Sequence, residues 1–195
     1  MELVHNARIH QDDRGSHCKW YSEDNLPEDF QVKEVFRTIN NKNTVRGMHF
    51  QENPDQEKIL SCLNGSAIVN IVNLDYNSEN FGEIHRAVVS ATDALSSGQQ
   101  FYFYIPKNHG LGYRALEDNT IMLYIANAPF SAEGDTGVDP FDEQLNLNWD
   151  KFEGECFASE EAILSAKDQT LQSLKEYIAS RTLIGFTRIL KGDDA

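Results

Sequence analysis

The chain has 195 residues, 40% of them hydrophobic and 25% charged, which is a composition typical of a soluble globular domain with a buried core. Acidic residues outnumber basic ones by 31 to 17, so the formal charge is -14 and the field of the molecule repels nucleic acid and anionic membranes. No apolar run approaches the roughly 20 residues that span a bilayer, and the first residues lack a signal-peptide pattern. We therefore expect a cytoplasmic protein with neither a nucleic-acid nor a membrane partner.

Short runs that alternate apolar and polar residues recur through the first two thirds of the chain. They predict strands at residues 3–10, 33–38, 44–50, 59–63, 67–74, 84–89, 100–105, 112–116 and 120–126. The dipeptide Asn64-Gly65 lies between two of these runs and can take positive φ, so it predicts a β-hairpin. Strands of five to eight residues with turn signals every 8 to 12 residues indicate an all-β barrel or sandwich.

The pattern changes after residue 149. Ser159 is a candidate helix N-cap, with Glu160 and Glu161 in the first turn that follows. Three apolar residues farther on share one helical face: Leu171, Leu174 and Ile178. We therefore predict a β-barrel domain at residues 1–150 and a helical extension at residues 151–195, packed on the barrel or on a second subunit.

A polar cluster interrupts the strand pattern between residues 44 and 58. Its members, mostly of one sequence parity, are Arg46, His49, Gln51, Gln56 and Lys58. On strands such residues project from one face of a sheet, where a core needs apolar side chains. The face is therefore either solvated or the wall of a binding cavity, and a small anionic ligand fits it if these cations dominate locally.

Metal and cofactor sites have few residues to support them. A β-barrel of this kind holds a metal with about three histidines and a carboxylate, but Gln51 and Leu111 stand where further ligands near His49 are needed. The chain has no GxGxxG after a strand, no Walker lysine motif and no GxSxG elbow. We therefore expect no metal and no cofactor.

A series of motifs carries a resemblance to a known family. In chain order they are Asp13-Arg14-Gly15, Arg46-Gly47-Met48-His49-Phe50-Gln51, Gln56-Glu57-Lys58, Phe81-Gly82 and Leu164-Ser165-Ala166-Lys167-Asp168. Over roughly residues 5–170 this series resembles the dTDP-4-dehydrorhamnose 3,5-epimerase family. The resemblance implies a cupin-type double-stranded β-helix, that is a jelly-roll barrel, a homodimer without cofactor, and a dTDP- or CDP-linked 4-keto-6-deoxyhexose as substrate.

The resemblance also implies roles for individual residues. A 4-keto group acidifies the C–H bonds on both neighbouring carbons, so epimerisation at C3 or C5 needs a base, an enolate stabiliser and a proton donor. His49 is similar to the family's base, Asp168 to the carboxylate that orients it, and Lys58 to the cation near the oxyanion. The resemblance implies that five further residues contact the substrate: Arg14, Arg46, Gln51, His109 and Tyr124. The two arginines match positions that bind its diphosphate.

Two departures from the family pattern leave the reaction open. Leu111 occupies the position of the family's second histidine, although His109 has the same strand parity and is a candidate substitute. Phe130 occupies the position of the tyrosine acid, and the candidate replacements are Tyr104, Tyr113 and Tyr124. The preferred interpretation is an epimerase acting at C3, C5 or both. The alternatives are a nucleotide-sugar 3,4-ketoisomerase and a sugar-nucleotide-binding cupin without turnover.

Overall fold

The computed structural model describes residues 3–19, 27, 29–156 and 161–191. Its strands are β1 Val4–Asp12, β2 Gly15–Cys18, β3 Glu34–Asn40, β4 Val45–Gln51, β5 Lys58–Asn64, β6 Ser66–Asn73, β7 Ile84–Ser90, β8 Gln99–Ile105, β9 His109–Ala115, β10 Thr120–Ala126, β11 Asp135–Gly137, β12 Lys151–Phe152 and β13 Glu155–Cys156. Its helices are α1 Ala91–Ser97, a 3-10 turn Asp168–Thr170 and α2 Leu174–Lys191.

Two antiparallel sheets form the body of the molecule. One has six strands in the order β2-β1-β8-β5-β10-β3, and the other has five in the order β11-β4-β9-β6-β7. Apolar side chains from both sheets meet in a shared inner core, for example Leu60 and Met122 from the first sheet with Val69 and Ile71 from the second. The predicted all-β jelly-roll barrel with a C-terminal helix is confirmed.

The predicted hairpin at Asn64-Gly65 is wrong, although both of its strands exist. β5 pairs with β8 and β10, whereas β6 pairs with β7 and β9, so the dipeptide carries the chain from one sheet to the other. Gly65 has φ 74, and a β-carbon there would lie 2.5 Å from Thr120 Oγ1. The Asn-Gly dipeptide therefore specifies that the chain reverses, and the burial of both strands decides which sheet each strand joins.

The C-terminal segment covers the outer face of the five-stranded sheet. Trp149, Leu174 and Tyr177 pack against the β4 residues Val45 and Phe50 in a second apolar cluster. The hydroxyl of Tyr177 also donates to the backbone oxygen of Leu74 at 2.7 Å. Leu174 and Tyr177 are thus packed on the barrel, and the division of the chain at residue 150 stays a prediction.

The C-terminal helix begins later than the sequence suggested. The predicted cap Ser159 lies outside the described residues, and Leu171 precedes the helix instead of lying on its face. The cap is Ser173, whose Oγ accepts from the backbone N–H of Glu176 while Glu176 Oε2 accepts from the backbone N–H of Ser173. This is a capping box, which satisfies two helix-end donors reciprocally. In the described part of the chain, no helix is both long and apolar enough to cross a bilayer.

Candidate active site

A histidine–aspartate pair lies at one end of the inner space between the sheets. His49 on β4 places Nε2 at 2.5 Å from Oδ1 of Asp168, and only 6% of the Asp168 side chain is exposed. The backbone N–H of Asp168 is held by Ser165 Oγ at 3.1 Å. Residues 119 apart in sequence thus meet because the C-terminal segment returns across the barrel end.

The charge state of this pair suits a base. Burial disfavours ionisation of Asp168, but its hydrogen bond with His49 and the charges nearby, including Arg46, outweigh burial and lower its pKa below the ordinary 3.8. Asp168 is therefore a carboxylate at neutral pH and accepts the Nε2–H of His49. In that neutral tautomer the lone pair lies on Nδ1, a buried atom for which the described residues offer no hydrogen-bond partner.

A small cavity opens beside the pair, and both sheets line it. Its walls are formed by Arg46, Gly47, His49, Lys58, Leu111, Tyr113 and Tyr124. β4 and β9 of the five-stranded sheet supply one wall, and β5 and β10 of the six-stranded sheet supply the other. A ligand in this cavity lies between an imidazole on one side and an ammonium and a phenol on the other.

Backbone irregularity in β4 brings Arg46 and His49 to the same cavity despite their opposite parity. The pairing of β4 with β9 shifts register between these two residues. Gly47 lies in the irregularity with φ 124, and a β-carbon there would approach Gly112 Cα to 2.5 Å. Only glycine fits this close strand approach, which explains the Arg-Gly pair that precedes the histidine.

The ionisation of Lys58, on the cavity wall, depends on burial and on the charges of two neighbours, Asp135 and Lys167. Burial lowers the pKa of Lys58 below its ordinary 10.5, the carboxylate of Asp135 opposes this shift, and Lys167 adds to it. Asp135 forms an ion pair with Lys167, and its Oδ1 lies 3.9 Å from His49 Nδ1. Sequence reasoning missed Asp135, because only the register of β11 on β4, with Gly137 opposite His49, brings it here.

A polar network fixes the arginine at the cavity wall. Nε of Arg46 donates to Asn40 Oδ1 at 2.8 Å, and the hydroxyl of Tyr113 donates to the same oxygen at 3.1 Å. The Tyr113 oxygen also lies 2.8 Å from Thr38 Oγ1. Asn40 and Thr38 were not predicted, since they lie on β3, away from every motif in the sequence.

The three candidate tyrosine donors lie in different places. Tyr124 is buried, stacks on Phe36 with ring centroids 4.6 Å apart, and lines the cavity together with Tyr113. Burial first, and then its contact with Tyr113, raises the pKa of Tyr124 well above the ordinary 10. Tyr104 faces the outer side of the six-stranded sheet, where its hydroxyl donates to Glu57 at 2.7 Å. Its position excludes Tyr104 as a donor in this cavity.

Two predicted substrate contacts, Gln51 and His109, lie outside the cavity. Gln51 is 2% exposed, and its amide donates to the backbone of Pro54 and Pro129 and accepts from Ser131 N–H, so it holds loops together. His109 places Nδ1 3.0 Å from the backbone oxygen of Lys107, while Leu111 occupies the cavity wall. The structure therefore places His109 outside the cavity, and Leu111 lines the cavity at the position of the second histidine.

Arg14 and Phe130 also lie outside the set of residues that line the cavity. The Arg14 side chain is 90% exposed on the turn between β1 and β2, where it pairs with Asp12. Phe130 is 62% exposed, and its backbone N–H donates to Glu34. Of the predicted site residues, the structure therefore brings together His49, Asp168, Lys58, Arg46 and Tyr124, and it does not bring Arg14, Gln51 or His109 to them.

Known proteins with similar sequences are sugar-nucleotide epimerases. The dTDP-4-dehydrorhamnose 3,5-epimerase of Escherichia coli K12 is 28% identical over 181 residues, covering 90% of this chain and 91% of its own. A dTDP-4-dehydro-6-deoxyglucose 3-epimerase of a Streptomyces species is 26% identical over 171 residues, covering 85% of this chain and 81% of its own.

A solved structure shares the fold. It is the dTDP-4-dehydrorhamnose 3,5-epimerase of Bacillus anthracis with TDP and PPi bound, with a TM-score of 0.73 and 27% identity over 88% of this chain and 94% of that one. The family model described as dTDP-4-dehydrorhamnose 3,5-epimerase matches residues 2–176. The resemblance drawn from the motifs is thus confirmed, and the chain belongs to the dTDP-4-dehydrorhamnose 3,5-epimerase family, whose members are isomerases acting on nucleotide-linked 4-keto sugars.

Proposed function

We propose that this protein inverts C3, C5 or both of a nucleotide-linked 4-keto-6-deoxyhexose through an enolate. One observation carries the proposal: the 2.5 Å contact between His49 Nε2 and the buried Asp168 carboxylate, at a cavity that also holds Lys58. A carboxylate at this distance fixes the tautomer of the imidazole and stabilises the cation that forms when the ring takes a proton.

The reaction begins with removal of a proton from a carbon next to the C4 ketone. His49 takes the proton, and the C–H electron pair moves into the enolate, so negative charge develops on the C4 oxygen. The ammonium of Lys58 on the facing wall stabilises that charge, which is worth more in a cavity than in water. Because burial lowers the pKa of Lys58, the Asp135 carboxylate serves to keep it protonated.

The diphosphate is proposed to bind at the Arg46 side of the cavity. A chain of net charge -14 needs a local cation to hold an anion, and Arg46 is fixed there by Asn40. Because the Bacillus anthracis relative holds TDP, we expect a dTDP-linked substrate and weaker binding of a CDP-linked one. Arg46→Ala should weaken dTDP binding by about 1.5–3 kcal/mol, measured by calorimetry, and unchanged affinity would remove this arginine from the site.

A homodimer is proposed from the outer face of the six-stranded sheet. On its edge strand β3, Val35 is 61% exposed and Ile39 is 55% exposed, and Ile39 pairs with the half-buried Ile121 of β10. An exposed apolar patch on an edge strand marks an interaction surface. A second copy of this chain covers such a patch with matching apolar side chains. The cytoplasmic location stays a prediction from composition.

The proposed function is tested by solvent exchange. The protein is incubated with dTDP-4-dehydro-6-deoxyglucose in D2O, and NMR follows deuterium at C3 and C5 and the configuration of both carbons. An epimerase gives deuterium with inverted centres, and His49→Asn should abolish both. A ketone relocated from C4 to C3 would instead identify a ketoisomerase, and binding without exchange would identify a protein without turnover.

A further inference from the structure

The reaction proposed above needs a proton donor, and the chain lacks one where the family pattern places it. Phe130 has no transferable proton, is 62% exposed and is not among the residues that line the cavity. Inversion requires that the donor deliver its proton to the face of the sugar opposite the base. The donor must therefore lie on the wall that faces His49.

The sheet topology separates the candidates. His49 on β4 and Tyr113 on β9 belong to neighbouring strands of the five-stranded sheet, so both approach the ligand from one side. Tyr124 lies on β10 of the six-stranded sheet, across the cavity. A phenol on the same side as the base would return the proton to the original face, so of the two phenols that line the cavity Tyr124 is the one placed for inversion.

Lys58 lies on the same wall as Tyr124, but its proposed role requires its ammonium to contact the enolate oxygen and not the carbon. A cation that stabilises the enolate oxygen lies near the plane of the enolate, where the oxygen lone pairs point. The proton must reach carbon perpendicular to that plane. One ammonium cannot occupy both positions at once, so Lys58 holds the oxygen and the donor is a separate group.

We propose that Tyr124 is the acid that completes the inversion, in place of the tyrosine replaced by Phe130. Its ring is held by stacking on Phe36, with centroids 4.6 Å apart and planes 7° apart. Tyr113 contacts Tyr124, and its hydroxyl meets Asn40 and the half-buried Thr38 on the edge strand. The inference rests on the proposed function and adds the identity of the donor.

The proton balance of the step closes. His49 gains the proton taken from carbon, and the enolate carbon takes the hydroxyl proton of Tyr124, so the ketone is restored and a tyrosinate remains. The O–H of Tyr113 then turns from Asn40 Oδ1 to donate to the tyrosinate, and the nearby charge of Arg46 stabilises the anion. His49 loses its proton to water, and water returns one to Tyr124 through the hydroxyls of Tyr113 and Thr38, so no net proton is consumed.

The resting state of Tyr124 suits a donor. Burial raises the pKa of Tyr124 well above the ordinary 10, so the hydroxyl carries its proton at neutral pH. The enolate is a strong enough base to take a proton from a phenol, and positioned general acids typically contribute about 10²–10⁴ in rate.

The test is Tyr124→Phe assayed in D2O with dTDP-4-dehydro-6-deoxyglucose. Proton removal by His49 remains, so deuterium should enter the substrate with retained configuration while formation of the inverted product falls about 100-fold or more. Inversion at a rate within threefold of the wild type would overturn the assignment. A wild type that exchanges nothing would instead refute the proposed function, so the two failures are distinct.

Matched variants separate chemistry from folding. Tyr102→Phe makes the same change on the outer face of the same sheet, where the ring stacks on His5, and it should keep full activity. Tyr124→Phe should keep the affinity of the wild type for dTDP, because its ring remains on Phe36. If Tyr113→Phe abolished inversion but kept exchange, while Tyr124→Phe inverted the substrate at the wild-type rate, the donor would be Tyr113 and the proposal would be wrong.

Discussion

Replacement of Asp168 by asparagine tests whether the charge of this carboxylate drives proton removal. The amide keeps the shape but cannot stabilise the imidazolium that forms when His49 takes a proton. A hydrogen bond to a charged group contributes about 1.5–3 kcal/mol, which corresponds to a factor of about 10 to 150 in rate. If the amide N–H of the introduced asparagine also donates to His49 Nε2, the ring proton moves to Nδ1, which can then no longer accept a proton, and the loss of rate is larger. We therefore expect exchange at C3 and C5 to slow by about 100-fold.

The assay is the initial rate of deuterium incorporation in D2O, measured by NMR at saturating substrate. Asp55→Asn is the matched control, since Asp55 forms an exposed 3.8 Å pair with Lys107. An Asp168→Asn rate within threefold of the wild type would refute the role of the dyad.

Unfolding gives a second readout. Because the pKa of Asp168 in the folded protein lies below 3.8, its contribution to the free energy of unfolding is present above pH 3.8 and is lost as the pH falls through the folded-state pKa.

Three further predictions concern Lys58, its neighbour Asp135 and the dimer face. Lys58→Gln should slow exchange by about 10²–10³, the usual effect of removing one oxyanion donor, and a smaller change than threefold contradicts its role. The wild-type rate should fall as the pH rises through the pKa of Lys58, which burial lowers below 10.5. Asp135→Asn removes a carboxylate that raises this pKa, so the alkaline limb of the pH–rate profile should move to lower pH. An alkaline limb at the wild-type pH would argue against an influence of Asp135 on Lys58. Ile39→Glu should convert a dimer to a monomer by light scattering while Ile39→Val should not, and equal masses for all three proteins would exclude this face.

The strands were predictable because alternation reports local burial directly. β10 was predicted at residues 120–126 and lies at Thr120–Ala126, since each of its faces packs on a different environment. The partner of each strand was not predictable in the same way. The Asn64-Gly65 reversal is a local property, whereas the separation of β5 and β6 into different sheets depends on pairing with strands far along the chain.

The candidate site was predictable only where motifs carried it. His49, Lys58 and Asp168 stand in family motifs, and two of them meet at 2.5 Å. Asp135 stands in no motif, and the register of a three-residue strand brings its Oδ1 to 3.9 Å from His49 Nδ1. Gln51 lies outside the cavity because its amide is bound by backbone groups of two loops, which strand parity alone cannot show.

The central claim is that His49, paired with Asp168, removes a proton from carbon next to a ketone. The most direct measurement is deuterium uptake at C3 and C5 of dTDP-4-dehydro-6-deoxyglucose in D2O, compared between the wild type and His49→Asn. We predict uptake at one or both carbons by the wild type and none above background by the variant. Absence of uptake with the wild type, or equal uptake with both proteins, would contradict the account.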